Sequence, residues 1–277
     1  MISITFMELN KIYQGDSLEL LKQLPDNSID LVITSPPYST LKVYIDNPGI
    51  LADDYVNWFI PYCKEIERVI KPTGSFILNI NDKVENGFRH PYVFDLISTL
   101  HKETGLKMFE RLFWNKLKSL PNRARFGDRV EYIFWFAKEK DFQFYLDEMR
   151  TEYSEQSVKR MKKPLKKRFA RTEGDDNIDY KDWAPNPKGA LPTTLVNISS
   201  ESKRIADNHV AVYPIDLVSY FIKGSTQKGG VVLDPFMGSG TTAVAAKQLG
   251  RNYIGFELQQ DYIDVANKRI AEYVKNI

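Results

Sequence analysis

Short apolar segments that are typical of buried strands alternate along most of this chain with segments of helical periodicity. The pattern predicts strands at 11–14, 29–34, 75–80, 130–137, 231–234 and 253–257. It predicts helices at 17–24, 55–70, 92–100, 214–223, 241–249 and 261–275. Because parallel strands need crossovers that cover both faces of their sheet, the alternation predicts an α/β fold with a doubly wound, mostly parallel sheet.

The composition favours a folded protein with a polar surface, since 43% of the 277 residues are hydrophobic and 27% are charged. The single cysteine, Cys63, cannot form an intrachain disulfide, and the three histidines are dispersed, so we expect no metal site. No apolar run approaches the roughly 20 residues that span a bilayer, and the first residues lack the apolar core of a signal peptide. The sequence therefore predicts a cytoplasmic protein that makes no membrane contact.

The alternation stops between residues 141 and 207 and then resumes. This interval contains clusters of Lys and Arg, an acidic patch at 175–182 and a proline-rich piece at 184–192. The sequence thus predicts one α/β domain, formed by residues 1–140 and 208–277, that carries an insert at 141–207.

A glycine loop, DPFMGSGTTA at 234–243, follows one predicted strand and opens a helix, and Glu257 ends the next strand. In an open α/β sheet such a loop is the place for a nucleoside-bearing cofactor, with the downstream carboxylate on the ribose. The spacing of Gly238, Gly240 and Ala243 also satisfies a relaxed dinucleotide fingerprint, so the motif alone leaves both cofactor types open. A turn without a ligand is the third alternative, and an ATP-type loop is excluded because no lysine follows the second glycine.

The segment Ser35-Pro36-Pro37-Tyr38 lies at the carboxyl end of a predicted buried strand. Two prolines stiffen the backbone and remove two N–H donors while they leave carbonyl acceptors. Together with a hydroxyl and an aromatic ring, these acceptors suit a planar group that carries an amine, such as a nucleobase swung out of its helix. The alternative is a Pro-Pro turn that only ends the strand.

The segments TSPPY (34–38) and DPFMGSGTT (234–242) together resemble the catalytic and cofactor motifs of the amino-methyltransferases of DNA. Their order, with the catalytic motif first, is similar to that of the circularly permuted beta class, and TSPPY resembles the form most often associated with cytosine N4. Further segments that resemble family motifs lie at 15–16, 71–74, 113–116, 125–126, 131–133 and 209–214. The resemblance implies a permuted class I methyltransferase fold that uses S-adenosyl-L-methionine, with the catalytic region at 1–140, a target-recognition insert at 141–207 and the cofactor-binding region at 208–277.

The resemblance also implies roles for individual residues. The expected catalytic loop consists of Ser35, Pro36, Pro37 and Tyr38. The Ser35 hydroxyl and the Pro36 carbonyl would accept hydrogen bonds from the amine, and the Tyr38 ring would stack on the flipped base. The expected cofactor-binding residues are Asp16, Thr34, Asp234, Pro235, Phe236, Gly238, Ser239, Gly240, Thr241 and Glu257. For Asp16 the alternative is that it caps the following helix.

The implied substrate is double-stranded DNA that is methylated at cytosine N4 in a specific sequence. Methylation at carbon 5 needs a thiolate nucleophile, and it is excluded because Cys63 lies in an apolar helical pattern typical of a core residue. Adenine N6 remains the alternative, since the adenine enzymes usually carry Asp where this chain has Ser35. A restriction endonuclease that acts on the same site is the expected second partner, and the oligomeric state, monomer or homodimer, stays open.

Residues 150–171 contain nine basic and two acidic residues, a net charge of +7, whereas the whole chain has a net charge of +2. A solvated surface is the alternative, but the position in the insert favours contacts with DNA phosphates. The expected DNA-binding residues are Lys159, Arg160, Lys162, Lys163, Lys166, Lys167 and Arg168. Four further basic residues are candidates to extend this surface: Lys116, Lys118, Arg123 and Arg125. The loop 39–51 is a candidate segment to become ordered when DNA binds.

Two function classes other than a methyltransferase remain open at this stage. A nicotinamide-dependent oxidoreductase would use the glycine loop but not the Ser-Pro-Pro-Tyr segment. A DNA-binding module without catalysis would use the basic run but neither loop.

Overall fold

The computed structural model describes residues 7–39, 50–117, 125–161, 185–200 and 213–274. Its strands are β1 Lys11–Gln14, β2 Ile29–Thr34, β3 Ile70–Ile80, β4 Val84–Glu85, β5 Phe88–Arg89, β6 Lys107–Asn115, β7 Val130–Ala137, β8 Leu195–Asn197, β9 Val231–Asp234 and β10 Asn252–Glu257. Its α-helices are α1 Ser17–Leu21, α2 Tyr55–Val69, α3 Tyr92–Glu103, α4 Glu155–Met161, α5 Ile215–Ser225, α6 Thr241–Gln248 and α7 Gln260–Val274, and a 3-10 helix spans Leu146–Met149.

Within the described residues, eight strands form one sheet in the order β1-β10-β9-β2-β3-β7-β6-β8. The five neighbouring strands β1, β10, β9, β2 and β3 pair in parallel. Strand β7 is antiparallel to both β3 and β6, and β8 is parallel to β6. Strands β4 and β5 form a separate hairpin. The predicted α/β fold with a mostly parallel sheet is confirmed.

Helices cover both faces of the sheet and divide the core in two. Along β2, Val32 packs on the side of α2 and α3, whereas Leu31 and Ile33 pack on the side of α5, α6 and α7. A strand that is buried on both faces needs apolar residues at consecutive positions rather than at alternate ones, which explains the run Leu31-Val32-Ile33 in the middle of β2.

Helix α2 runs without a break through Pro61, where the sequence predicts a kink or a late helix start. Proline removes the hydrogen bond to the carbonyl of Asn57, one turn earlier. Both residues are exposed, so water can satisfy that carbonyl and the helix continues.

The described ends of the segment 141–207 pack on the sheet. The Tyr145 amide donates to the carbonyl of Gly224 in α5 over 2.8 Å, and Met149 is buried against the same helix. A Cβ on Gly224 would collide with the Met149 side chain, so the glycine lets this side chain pack directly on the backbone of α5. At the other end, β8 extends the sheet beside β6.

The sheet has a topological switch point between β2 and β9. The chain leaves β2 through α2 to reach β3 on one side, and it leaves β9 through α6 to reach β10 on the other side. In open α/β sheets ligands bind in the crevice at the carboxyl ends of the strands at such a point. The Ser-Pro-Pro-Tyr segment follows β2 and the glycine loop follows β9, so both flank this crevice.

Candidate functional site

The side chains of the site meet at one edge of the sheet, where the parallel strands end and β7 begins. Thr34 ends β2, Asp234 ends β9 and Glu257 ends β10. Because β7 is antiparallel to its neighbour β3, its first residues lie at this same edge, with Tyr132 opposite Ile80.

Asp234 is fully buried and joins the two loops. Its Oδ1 accepts from the Thr34 hydroxyl over 2.7 Å and from the Phe236 amide over 3.0 Å. Its Oδ2 accepts from the Thr242 hydroxyl over 2.6 Å and from the Tyr213 hydroxyl over 3.0 Å. Burial raises the pKa of this carboxyl, and the four hydrogen bonds oppose the shift. The carboxylate thus organises the start of the glycine loop.

Two glycines of this loop have left-handed backbones, with φ +52° at Gly238 and +83° at Gly240. Gly240 precedes the first residue of α6, and a Cβ there would lie 2.7 Å from the Cβ of Ala266 in α7. At Gly238 the nearest atom to such a Cβ, the Phe236 carbonyl oxygen, is 4.0 Å away. The first glycine therefore leaves open space over the loop, and the second permits close packing of two helices.

Glu257 holds the glycine loop from the neighbouring strand. Its Oε2 accepts from the Gly238 amide over 2.8 Å, and its Oε1 accepts from the Gln259 amide over 2.9 Å. Burial raises the pKa of this carboxyl. Each carboxylate oxygen has a second lone pair, so both can accept a further hydrogen bond from a ligand hydroxyl.

Arg269 of α7 secures the other side of the loop. Its guanidinium donates to the Ser239 carbonyl over 2.8 Å, to the Ser239 hydroxyl over 2.7 Å and to the Thr241 hydroxyl over 3.3 Å. The expected cofactor residues Ser239 and Thr241 are thus held by a cation at the start of α6.

Asp16 caps helix α1, which is the alternative that the sequence left open. Its Oδ1 accepts from the amides of Leu18 and Glu19 over 2.9 and 3.1 Å, and the side chain is exposed. The carbonyl of Pro235 accepts from the hydroxyl of Ser17, which places this cap beside the glycine loop. A contact between Asp16 and a cofactor stays a prediction.

Phe236 contributes an aromatic wall on the same side. Its ring lies 5.8 Å from Trp58 and 5.3 Å from Tyr62, centroid to centroid, and it is half-buried. Burial raises the pKa of Tyr62 to about 12, so its hydroxyl stays neutral at physiological pH.

Ser35 and Tyr38 begin a polar network at the end of β2. The Tyr38 hydroxyl lies 3.1 Å from the Ser35 hydroxyl, 2.8 Å from Glu131 Oε2 and 3.3 Å from Asn79 Oδ1. Burial and the carboxylate of Glu131 raise the pKa of Tyr38 well above that of an ordinary tyrosine, so its proton stays on the oxygen. Tyr55 donates to the Pro37 carbonyl over 2.9 Å, and the Pro36 carbonyl accepts no hydrogen bond within the described ranges.

A family model described as DNA methylase matches residues 29–268, which is most of the chain. The chain belongs to the DNA methylase family. It is 31% identical over 258 residues to the type II methyltransferase M.BglII of Bacillus subtilis, a match that covers 93% of this chain and 68% of the relative.

Solved structures show the same fold. The cytosine-N4-specific PvuII DNA methyltransferase superposes with a TM-score of 0.71 at 23% identity, over 98% of this chain and 93% of that one. The M1.HpyAVI–SAM complex superposes with a TM-score of 0.57 at 22% identity, over 94% and 98% of the two chains.

The structure places in the site five side chains that have no individual role in the sequence analysis, although Glu131, Tyr213 and Thr242 lie within segments that resemble family motifs. These residues are Asn79, Glu131, Tyr213, Thr242 and Arg269. Asn79 lies near the carboxyl end of a predicted strand, so the rule that places ligands at strand ends could have found it. Glu131 lies at the start of a strand, and only the antiparallel direction of β7 brings it to this edge.

Several predicted sites lie elsewhere or outside the described residues. Lys159 and Arg160 are exposed on α4, whereas Lys162, Lys163, Lys166, Lys167 and Arg168 lie outside the described residues, as do Lys118 and Arg123. Lys116 donates to Glu131 Oε1 over 3.1 Å, beside the Tyr38 network.

Three further observations concern expectations from the composition. Cys63 is buried in α2, and burial raises the pKa of its thiol. Among the residues that the structure describes, no cluster of three or more His, Cys, Asp and Glu side chains could hold a metal ion. None of the described helices is both long and apolar enough to cross a bilayer.

Proposed function

We propose that this methylase transfers a methyl group from S-adenosyl-L-methionine to the N4 amine of a cytosine in a specific sequence of double-stranded DNA. The observation that carries the proposal is the position of Ser35. Ser35 follows the last residue of β2, Thr34, whose hydroxyl donates a hydrogen bond to Asp234 at the start of the glycine loop. A hydroxyl acceptor therefore lies beside the glycine loop. The cytosine-N4-specific PvuII enzyme supports the choice of base by its fold and its specificity.

The glycine loop suits the cofactor. The open space at Gly238 lets a ligand approach the backbone, and the amino end of α6 favours the methionine carboxylate. Glu257 would accept from the ribose hydroxyls, Phe236 would pack on the adenine, and Asp16 would face its amine. S-adenosyl-L-methionine supplies an electrophilic methyl group on a sulfonium, and M1.HpyAVI is a relative whose structure contains it.

The catalytic loop must make a poor nucleophile reactive. The lone pair of a cytosine N4 amine is delocalised into the ring, and acceptors on its two N–H bonds favour a tetrahedral nitrogen. The Ser35 hydroxyl and the Pro36 carbonyl are the two acceptors, and the Tyr38 ring is the stacking surface for the flipped base. Holding amine and methyl group in near-attack geometry supplies much of the rate enhancement.

The segment 141–207 is the proposed target-recognition insert, between the catalytic region at 1–140 and the cofactor-binding region at 208–277. Lys159 and Arg160 are exposed there and can reach phosphates, and the lysines at 162–167 add four charges. A restriction endonuclease for the same site is the proposed second partner, in the cytoplasm.

Transfer from labelled S-adenosyl-L-methionine to unmethylated double-stranded DNA, followed by nucleoside analysis, tests the proposal. We expect N4-methylcytosine as the product, and N6-methyladenine would contradict the choice of base. Equilibrium binding of the cofactor compared with NAD tests the cofactor independently, and tighter binding of NAD would favour an oxidoreductase.

A further inference from the structure

We propose that Glu131 is a positioning residue that sets the direction of the Ser35 O–H bond. It does so through the hydroxyl of Tyr38 and touches no reacting atom itself. This inference rests on the proposed function, because it assumes that Ser35 acts as an acceptor for the amine.

Glu131 is held on three sides by hydrogen-bond donors. Its Oε2 accepts from the Tyr38 hydroxyl over 2.8 Å and from the Asn79 amide nitrogen over 3.2 Å. Its Oε1 accepts from the Lys116 ammonium over 3.1 Å. The side chains of Glu131 and Lys116 are only 14% and 21% exposed, so water screens their attraction less than at the surface. The carboxylate is therefore fixed in one orientation.

The orientation of Asn79 follows from its other contacts. Its amide nitrogen donates to Glu131 and to the Tyr132 carbonyl, each over 3.2 Å, so its oxygen faces Tyr38. Apart from Ser35, the hydrogen-bonding neighbours of the Tyr38 hydroxyl in the described residues are thus acceptors, the Glu131 carboxylate and the Asn79 oxygen.

These neighbours decide where the two hydroxyl protons go. The Tyr38 hydroxyl has one proton, and it donates this proton to the Glu131 carboxylate, which is both the nearest and the only charged acceptor of its described neighbours. The Tyr38 oxygen can then only accept from Ser35, over 3.1 Å. The Ser35 proton points to Tyr38, and its lone pairs remain for the N–H of the substrate amine. In the reverse direction Ser35 would accept from Tyr38 and could present its proton to that N–H, which would repel the amine.

The substitution Glu131→Gln tests this direction. The charged Lys116 ammonium would attract the amide oxygen of the new side chain more strongly than the neutral Asn79 amide does, so its NH₂ group would face Tyr38 and donate to it. The Tyr38 proton would then turn to its nearest remaining acceptor, which is the Ser35 hydroxyl at 3.1 Å rather than the Asn79 oxygen at 3.3 Å. We expect single-turnover methyl transfer at saturating cofactor and DNA to slow at least about tenfold, with cofactor affinity changed less than about twofold. In a Tyr38→Phe background no hydroxyl remains to be turned, so Glu131→Gln should cost less than about twofold there.

A matched control is Glu103→Gln on α3, whose carboxylate accepts from Lys64 over 2.7 Å on the surface. It should leave the rate unchanged. An equal loss from Glu131→Gln in the unaltered protein and in the Tyr38→Phe background, or no loss in either, would overturn the role of Glu131. Identifying the methylated base tests the proposed function separately from the role of Glu131. Methylation of adenine N6 would contradict the proposed target base, whereas the effect of Glu131→Gln on the rate, with and without the Tyr38 hydroxyl, would still test the role of Glu131.

Discussion

The Thr34 hydroxyl donates to the carboxylate of Asp234 over 2.7 Å and joins the last residue of β2 to the last residue of β9. These two strands flank the topological switch point. One leads into the Ser-Pro-Pro-Tyr segment and the other into the glycine loop, so one buried hydrogen bond connects the proposed base pocket with the proposed cofactor site.

We expect Thr34→Val to weaken both stability and cofactor binding. The substitution keeps the shape but removes one of four donors to a buried carboxylate, which costs about 1–3 kcal/mol in unfolding free energy. Urea unfolding and calorimetric titration with S-adenosyl-L-methionine measure the two effects. Thr104→Val is the control, since that hydroxyl makes only local contacts at the end of α3, donating to the Leu100 carbonyl and accepting from the Leu106 amide. Equal, small effects of both substitutions would contradict the connection.

Alanine at Gly238 or at Gly240, which are both left-handed in the glycine loop, should separate binding from stability. Gly240→Ala combines a strained backbone with a Cβ at 2.7 Å from Ala266, and we expect a loss of about 2–4 kcal/mol in a denaturant melt. Gly238→Ala has open space, so about 1 kcal/mol of strain remains, but its methyl group enters the proposed cofactor space. It should lower cofactor affinity at least about tenfold. Unchanged affinity would place the cofactor elsewhere.

The affinity for S-adenosyl-L-methionine should depend on pH through Glu257. Burial raises the pKa of this carboxyl, so it begins to bind a proton at a higher pH than an ordinary glutamate with its value of 4.5. The protonated form is the weaker acceptor for ribose hydroxyls, so affinity should fall as the pH is lowered from 8 towards 5.

Glu257→Gln provides the comparison, because its neutral amide does not titrate. Its affinity should be lower at neutral pH by about tenfold and flat over the same interval. Parallel pH profiles for both proteins, in samples that circular dichroism shows to be folded, would argue against a contact between Glu257 and the cofactor.

Neutralising Lys162, Lys163, Lys166 and Lys167 with glutamine should weaken DNA binding and reduce its dependence on salt. If all four lysines contact phosphates, the slope of log affinity against log salt should fall by up to about 3.6. Lys11→Gln with Lys107→Gln is the control, since both lysines begin strands whose other ends reach the site edge. A slope equal to that of the unaltered protein would show that these lysines do not contact DNA phosphates and form a solvated surface.

The central strands and the site edge could be predicted because local patterns determine them. The runs IDLVIT and VVLD each contain three consecutive apolar residues and each leads directly into its motif, so the strand, the loop and their place at the carboxyl end of the sheet can be predicted from the sequence. Strand β6 was not predicted, because its first five residues, KMFER, are exposed and show no strand pattern.

The polar network of Tyr38 could not be predicted from the sequence. Tyr38, Asn79 and Glu131 are separated by 41 and 52 residues, and only the register of β7 beside β3 brings them together. The same holds for Tyr213 and Asp234, whose contact depends on how α5 enters the sheet domain. The spacing of residues within one segment does not predict contacts between side chains that are far apart in the sequence.

Modified-base sequencing of genomic DNA tests the central claim most directly, in a host without methyltransferases that expresses either this protein or its Ser35→Ala variant. We predict N4-methylcytosine at one recurring sequence with the unaltered protein, and its loss by at least about 100-fold with the variant. Methylation at adenine N6, or full N4 methylation by the Ser35→Ala variant, would contradict the account.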